Sequence, residues 1–191
     1  MTAIGDLMPS FELPDTDGTP CRLPEERVTV VLFTANACPF ALAWHDRIIA
    51  AARDYASQGV QFLAICANDQ KASPRDSPAA MRQRYANESW GPVPYLHDAG
   101  QTVAAAYGAE TTPDIFVLDV ERRLRYRGPP DEDCEEPSLN AAWLRAALDA
   151  VLAGGPMPVG PTFSVGCPIK WRGRPAHPPG MRPPDQMTID R

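Results

Sequence analysis

Paired cysteines are missing from this chain. Its five cysteines, Cys21, Cys38, Cys66, Cys134 and Cys167, lie far apart, and no CxxC motif occurs. In a reducing compartment that argues against a disulfide framework, and it removes the local dithiol of a standard exchange site. Histidine is scarce too: three occur, none spaced to join a cysteine around a metal, so zinc, haem and iron–sulfur sites are not expected, nor is any other cofactor. Basic residues are not in excess. With 18 Lys and Arg against 24 Asp and Glu the formal charge is −6, which argues against a nucleic-acid surface. No apolar run approaches the ~20 residues of a membrane span. The opening MTAIGDLMPSFELPD lacks the basic segment and apolar core of a signal peptide. These absences together predict a cytoplasmic protein with neither nucleic acid nor membrane as partner.

What is present suits one α/β domain with an appendage: 191 residues, 44% of them apolar and 22% charged. Pro14-Asp15-Thr16-Asp17-Gly18 is turn chemistry between short apolar pieces, a hairpin ahead of the main fold. VTVVLFTA (28–35) and VQFLAICA (60–67) have little alternation and read as strands buried on both faces. Between them Trp44, Ile48, Ala51 and Tyr55 form a helical stripe from about Cys38 to Gln58, so the two strands are expected to run parallel. After the polar loop 68–77, Ser77-Pro78 opens a helix to about Glu88, and a short helix is expected over 99–107. DIFVLD (114–119) and RLRYRG (123–128) read as an antiparallel pair, followed by a helix over about 138–152. The domain is therefore assigned to 1–153. The segment 154–191 holds nine of the 22 prolines. Residues 154–174 are expected to pack in extended form through Phe163, Ile169 and Trp171, with 175–191 mobile.

The stretch FTANACPFALAW places Cys38 where a buried strand enters a helix, with Pro39 at the first helical position. The partial positive charge and unpaired N–H groups of a helix start favour the thiolate, the reactive form of cysteine. The carboxyl end of a parallel strand is also the usual edge for sites in open α/β sheets. A second feature is Thr112-Pro113, which by itself reads as a turn before a strand.

The order of elements and several motifs together resemble the thioredoxin-fold superfamily, in its peroxiredoxin-like (AhpC/TSA-like) redoxin branch. The matching stretches are IGDLMPSFELPDTDGT, NACPFA, YGAETTPDIFVLD, YRGPPDE and VGCPIKW, over about residues 3 to 172. The resemblance implies a thioredoxin-like fold, a mixed central sheet flanked by helices with an N-terminal β-hairpin and an extended C-terminal tail. It further implies that Cys38 is the attacking thiol. Pro39, Thr112 and Pro113 become substrate-binding positions, with Thr112-Pro113 a cis peptide whose backbone pairs with an extended thiol substrate. The sequence departs from the family in three places. Ala41 and Ala35 stand where a second cysteine would lie three residues after or before Cys38, and Val31 stands where typical peroxiredoxins have a proline.

A lone attacking thiol needs a second thiol to release it. Cys134, in DEDCEE, has five acidic neighbours that should disfavour its thiolate. Cys66 ends a core strand, and Cys21 carries no cue. Cys167, in VGCPIKWR, has Lys170 and Arg172 nearby, electrostatics expected to favour its thiolate, and is the candidate resolving thiol. His45 lies about two helical turns from Cys38, too far to serve as its base. Asp69 and Asp114 read as loop and strand-start caps, and the acidic run 131–136 as a solvated loop. The expected activity is thiol-dependent reduction of disulfides or peroxides, with thioredoxin or a low-molecular-weight thiol as reductant. A peroxiredoxin-type peroxidase and a non-catalytic protein binding partners in the cis-proline groove are the rival readings.

Overall fold

Asp15 organises the first turn. One of its carboxylate oxygens accepts the N–H groups of Asp17 and Thr19, each at 2.9 Å, and closes the hairpin between β1 (Glu12–Pro14) and β2 (Pro20–Arg22). The structure, a computed structural model, describes residues 2–157 and 165–173.

β3 (Thr29–Phe33) is buried at every residue and is the middle strand of a five-stranded sheet. Helix α1 (Pro39–Ala56) carries the chain back to β4 (Gln61–Cys66), which pairs with β3 in parallel, Val31 opposite Leu63. A single 3-10 turn (Pro74–Asp76) and α2 (Pro78–Asn87) lead to β5 (Tyr95–His97), parallel to β4. Then come α3 (Thr102–Tyr107), the two-residue β6 (Thr111–Thr112), and β7 (Asp114–Leu118), which turns the sheet mixed by pairing antiparallel with β3. β8 (Leu124–Gly128) pairs antiparallel with β7, α4 (Ala142–Leu152) follows, and β9 (Cys167–Pro168) pairs with β6. The sheet order is β5-β4-β3-β7-β8.

The unbroken apolar character of β3 has its reason in the two layers it separates. Val30 and Leu32 join Trp44, Ile48, Ala51 and Tyr55 of α1 and Leu144 and Leu148 of α4 in one core. Val31 and Phe33 face Leu13, Tyr107 and Phe116 in the other. Burying one such side chain contributes roughly 1.5–3 kcal/mol, so both faces hold the strand in register. This is the α/β thioredoxin-like fold, with the mixed sheet and N-terminal hairpin expected.

Three elements differ from the expectation. α4 starts at Ala142 rather than near Ser138 because Asp131 and Pro130 draw the preceding loop in. The Asp131 carboxylate accepts the Ala141 N–H at 3.0 Å, and the Pro130 carbonyl accepts that of Leu144 at 3.0 Å. β5 was not anticipated: three residues between turn-forming neighbours carry too little pattern to register. The loop 68–77 is not merely polar, since Ser73 and Asp76 are buried. Of the expected tail anchors, Ile169 is 3% exposed and Trp171 packs on the same core, while Phe163 and the segment 175–191 lie outside the described residues. Among the described residues no helix is long and apolar enough to cross a membrane.

Candidate active site

Cys38 is the N-cap of α1, with extended backbone (φ −91°, ψ 115°) and Pro39 directly after it. Its Sγ accepts the Ala41 N–H at 3.4 Å, which meets one of the free donors of the helix start. The loop before it is held by a carboxylate from another element. Asp76, fully buried, accepts the N–H of Asn36 at 2.6 Å and that of Ala37 at 3.3 Å. The same carboxylate also takes Asn68 Nδ2 at 2.8 Å and Ser73 Oγ at 2.5 Å. Asn36 in turn donates to the Arg75 carbonyl and accepts from the Tyr95 hydroxyl. The polar loop after β4 thus fixes where the cysteine sits.

Thr112-Pro113 is cis, and the Thr112 carbonyl accepts the Cys38 S–H at 2.7 Å. β9 lies against the same residue. Thr112 pairs with Cys167 and Thr111 with Pro168, antiparallel, and Cys167 packs against the Ala35, Cys38 and Ala41 cluster and shares a hydrogen bond with the Cys38 thiol. Gly166 makes this approach possible: a Cβ there would fall 2.1 Å from the Thr112 oxygen and 2.6 Å from its carbon. Beyond β9 the strap is tied down repeatedly. Ile169 N–H donates to the Glu110 carbonyl at 3.0 Å, and Asp69 N–H to the Lys170 carbonyl at 2.8 Å. Lys170 N–H reaches Asn68 Oδ1 at 2.8 Å, and Arg172 N–H reaches Gln101 Oε1 at 2.7 Å. The result is a buried Cys38, 2% exposed, under a half-buried Cys167.

The structure brings together all five expected site residues, Cys38, Pro39, Thr112, Pro113 and Cys167. It corrects the electrostatics expected of Cys167. Burial, then the hydrogen bond and charge of Cys38, push that thiol well up; Lys170 opposes them, and Arg172 is turned away toward Asp69 and the Ala99 carbonyl. Cys134 is also raised, as its neighbours suggest, although burial exceeds Glu135 and Asp133 as the cause. Burial drives Cys66 up to about 12, in keeping with a core residue. Cys21 is raised by burial and Asp15.

His45 stacks edge-on against Trp90, with ring centroids 4.6 Å apart. Asp114 of β7 pairs with Arg127 of β8 at 2.7 Å. Asp131 corrects the picture of a solvated acidic run. It is 1% exposed and binds the Trp44 indole N–H at 2.6 Å and Arg47 at 2.8 Å, a buried charge with a cation and donors supplied. Asp76, Asp131 and Gly166 are positioning residues that sequence reasoning missed. Only Gly166, next to Cys167 in VGCPIKW, carried a visible signal. Beside the site, a cleft of about 560 Å³ is walled by Phe40, Trp44, Pro129, Trp143 and Val165.

Comparison with known proteins supports the fold. The AhpC/TSA family model matches residues 4–127, more than half of the chain. Among solved structures, an uncharacterized conserved protein from Geobacillus kaustophilus is 37% identical, with 92% of this chain and 95% of that one covered and a TM-score of 0.84. The hypothetical protein SMc02350 from Sinorhizobium meliloti is also 37% identical, with 91% and 97% covered and a TM-score of 0.82. The peroxidoxin BcpB from Mycobacterium tuberculosis, 23% identical over 80% of this chain and 96% of that one, shares the fold at a TM-score of 0.57. No curated protein matches the chain significantly.

Proposed function

The chain belongs to the AhpC/TSA family, and on that footing we propose that it is a thiol-dependent oxidoreductase in which Cys38 attacks and Cys167 resolves. The observation that carries this reading is the position of Thr112. Its carbonyl bonds the Cys38 sulfur while its backbone pairs with Cys167, so one residue presents both thiols to each other.

The Cys38 thiolate attacks a hydroperoxide oxygen, leaving the alcohol and a sulfenic acid on Cys38, or it attacks a disulfide, leaving a thiol and a mixed disulfide. Cys167 then attacks the Cys38 sulfur. Water or the second thiol departs, and a Cys38–Cys167 disulfide remains. Two equivalents of an external thiol, from thioredoxin or a low-molecular-weight compound, restore both cysteines. Such a cycle suits a reducing, cytoplasmic setting.

Peroxide is the narrower alternative among substrates. Ala35 packs an apolar methyl against Cys38, and Val31 stands where typical peroxiredoxins have a proline. A non-catalytic binding role in the cis-proline groove is disfavoured because β9 already fills that edge. The test is treatment with hydrogen peroxide, and separately with oxidised glutathione, followed by mass mapping without reduction. A Cys38–Cys167 link, lost in Cys38→Ser along with turnover, is expected. Turnover that survives Cys38→Ser would sink the proposal.

A further inference from the structure

The strap 166–172 sits where an extended peptide would add to the sheet edge. β-Strand addition uses free N–H and C=O groups on an exposed edge, with side-chain pockets giving selectivity. Here the edge of β6 is taken by β9. The contact is close enough to need Gly166, since no side chain fits over the Thr112 carbonyl. Ile169 is buried in the core beneath, and four backbone N–H or carbonyl groups of the strap and its anchors are bonded from Glu110 to Gln101. Cys167 thus stands opposite Cys38 as the cysteine of a bound peptide would, but it belongs to the same chain.

We propose that this strap is the resident occupant of the peptide edge, so that external thiols exchange at Cys167 rather than Cys38 and the site serves small molecules rather than extended polypeptides. The inference rests on the reading of Cys38 and Cys167 as a disulfide-forming pair.

In the oxidised protein an incoming thiolate has two sulfurs to choose from. Cys38 is 2% exposed and bonded to Thr112, whereas Cys167, in the strap itself, is only half-buried. Attack on Cys167 forms a bond between the external sulfur and Cys167 and breaks the Cys38–Cys167 bond. The electron pair goes to Cys38, where the Ala41 N–H points at the departing sulfur. A second external thiolate attacks its own partner sulfur in the mixed disulfide. It leaves as the external disulfide, and Cys167 takes a proton from solvent. An external thiol attacking Cys38 would instead have to lift β9 off Thr112.

The experiment uses the full chain with Cys21 and Cys134 changed to Ser, oxidised to the Cys38–Cys167 disulfide and verified by mass. It is exposed briefly to less than one equivalent of glutathione, quenched with acid and mapped. The glutathione adduct is expected on Cys167 in about tenfold or greater excess over Cys38, as access favours it. Gly166→Ala, which pushes β9 from Thr112, is expected to move adduct to Cys38 and to speed the reduced protein's reaction with the disulfides of insulin. An adduct on Cys38 in the parent, or equally fast insulin reduction by parent and Gly166→Ala, overturns the inference while leaving the disulfide pair intact. Failure to form the disulfide before glutathione is added overturns the pair itself, and the inference with it.

Discussion

The indole N–H of Trp44 donates to the Asp131 carboxylate across 2.6 Å, and through it the helix that begins at Cys38 is fastened to the loop that leads into α4. Asp131 also receives Arg47 and the Ala141 N–H. One carboxylate therefore ties three pieces of chain around the core that α1 and α4 share.

Removing it leaves a guanidinium whose side chain is 10% exposed without its counter-charge, and an indole donor without an acceptor. Asp131→Ala is expected to lower stability by about 3–5 kcal/mol, the range for breaking a buried ion pair from one side. Asp131→Asn, which keeps an acceptor for Trp44, should lose less. Urea unfolding followed by tryptophan fluorescence measures both, and a loss for Asp131→Ala within that of a surface substitution would contradict the assignment.

Asp76 acts closer to the sulfur. It carries the N–H groups of Asn36 and Ala37, two of the three residues before Cys38, so Asp76→Ala frees the loop without touching the thiol. Hydrogen bonds to a charged acceptor contribute about 1.5–3 kcal/mol each, and the buried donors left behind would seek water. We expect the variant to fold with reduced stability and to oxidise at Cys38 at least about tenfold more slowly, the cost of misplacing a reacting group by a fraction of an ångström. Rescue by Asp76→Asn should be partial, because its amide keeps one acceptor oxygen. Equal peroxide consumption by Asp76→Ala and the parent would refute the positioning role.

Histidine supplies the pH dependence. His45 is held below the ordinary 6.5 by burial first and Arg84 second, with Ser89, Glu88 and Asp46 pulling the other way; burial likewise lowers His97 against the pull of Asp98. Between the folded and unfolded values the unfolded chain binds more protons, so stability rises with pH across that window. It is full above 6.5 and declines as pH falls below it. His45→Gln should flatten the decline below the unfolded value of histidine, about 6.5. Thermal unfolding across that range tests this, and an unchanged slope would mean that His45 is not the group responsible.

How far the sequence disclosed all this depends on the kind of signal each residue leaves. Val30, Val31, Leu32 and Phe33 declare a doubly buried strand because every one of them is apolar, and the stripe Trp44, Ile48, Ala51, Tyr55 has a period only a helix meets. Cys38-Pro39 was legible because a helix start constrains both residues. Asp131 and Asp76 were not, since a buried carboxylate and a solvated one share one letter, and what separates them is a partner tens of residues away, Trp44 or Asn36. The thiolate expected of Cys167 failed for a similar reason. Lys170 is near in sequence, but burial against the core and the Cys38 thiol outweigh it and act in the opposite direction.

That opposition can be measured directly. Cys38 contributes to the high titration of Cys167 through both a hydrogen bond and its charge, while burial remains whatever stands at position 38. In Cys38→Ala the two contributions of the partner vanish, so Cys167 should titrate lower than in the parent and still above an unperturbed thiol. Alkylation by iodoacetamide follows the thiolate fraction. At any fixed pH below the parent value, Cys167 in Cys38→Ala should therefore react faster than in the parent, and its rate should begin to rise at lower pH. Carrying Cys21→Ser and Cys134→Ser in both proteins leaves Cys66, fully buried, as a slow internal reference. A Cys167 profile that does not move when Cys38 is removed would show that the two thiols do not face each other, and would remove the geometric basis for their pairing.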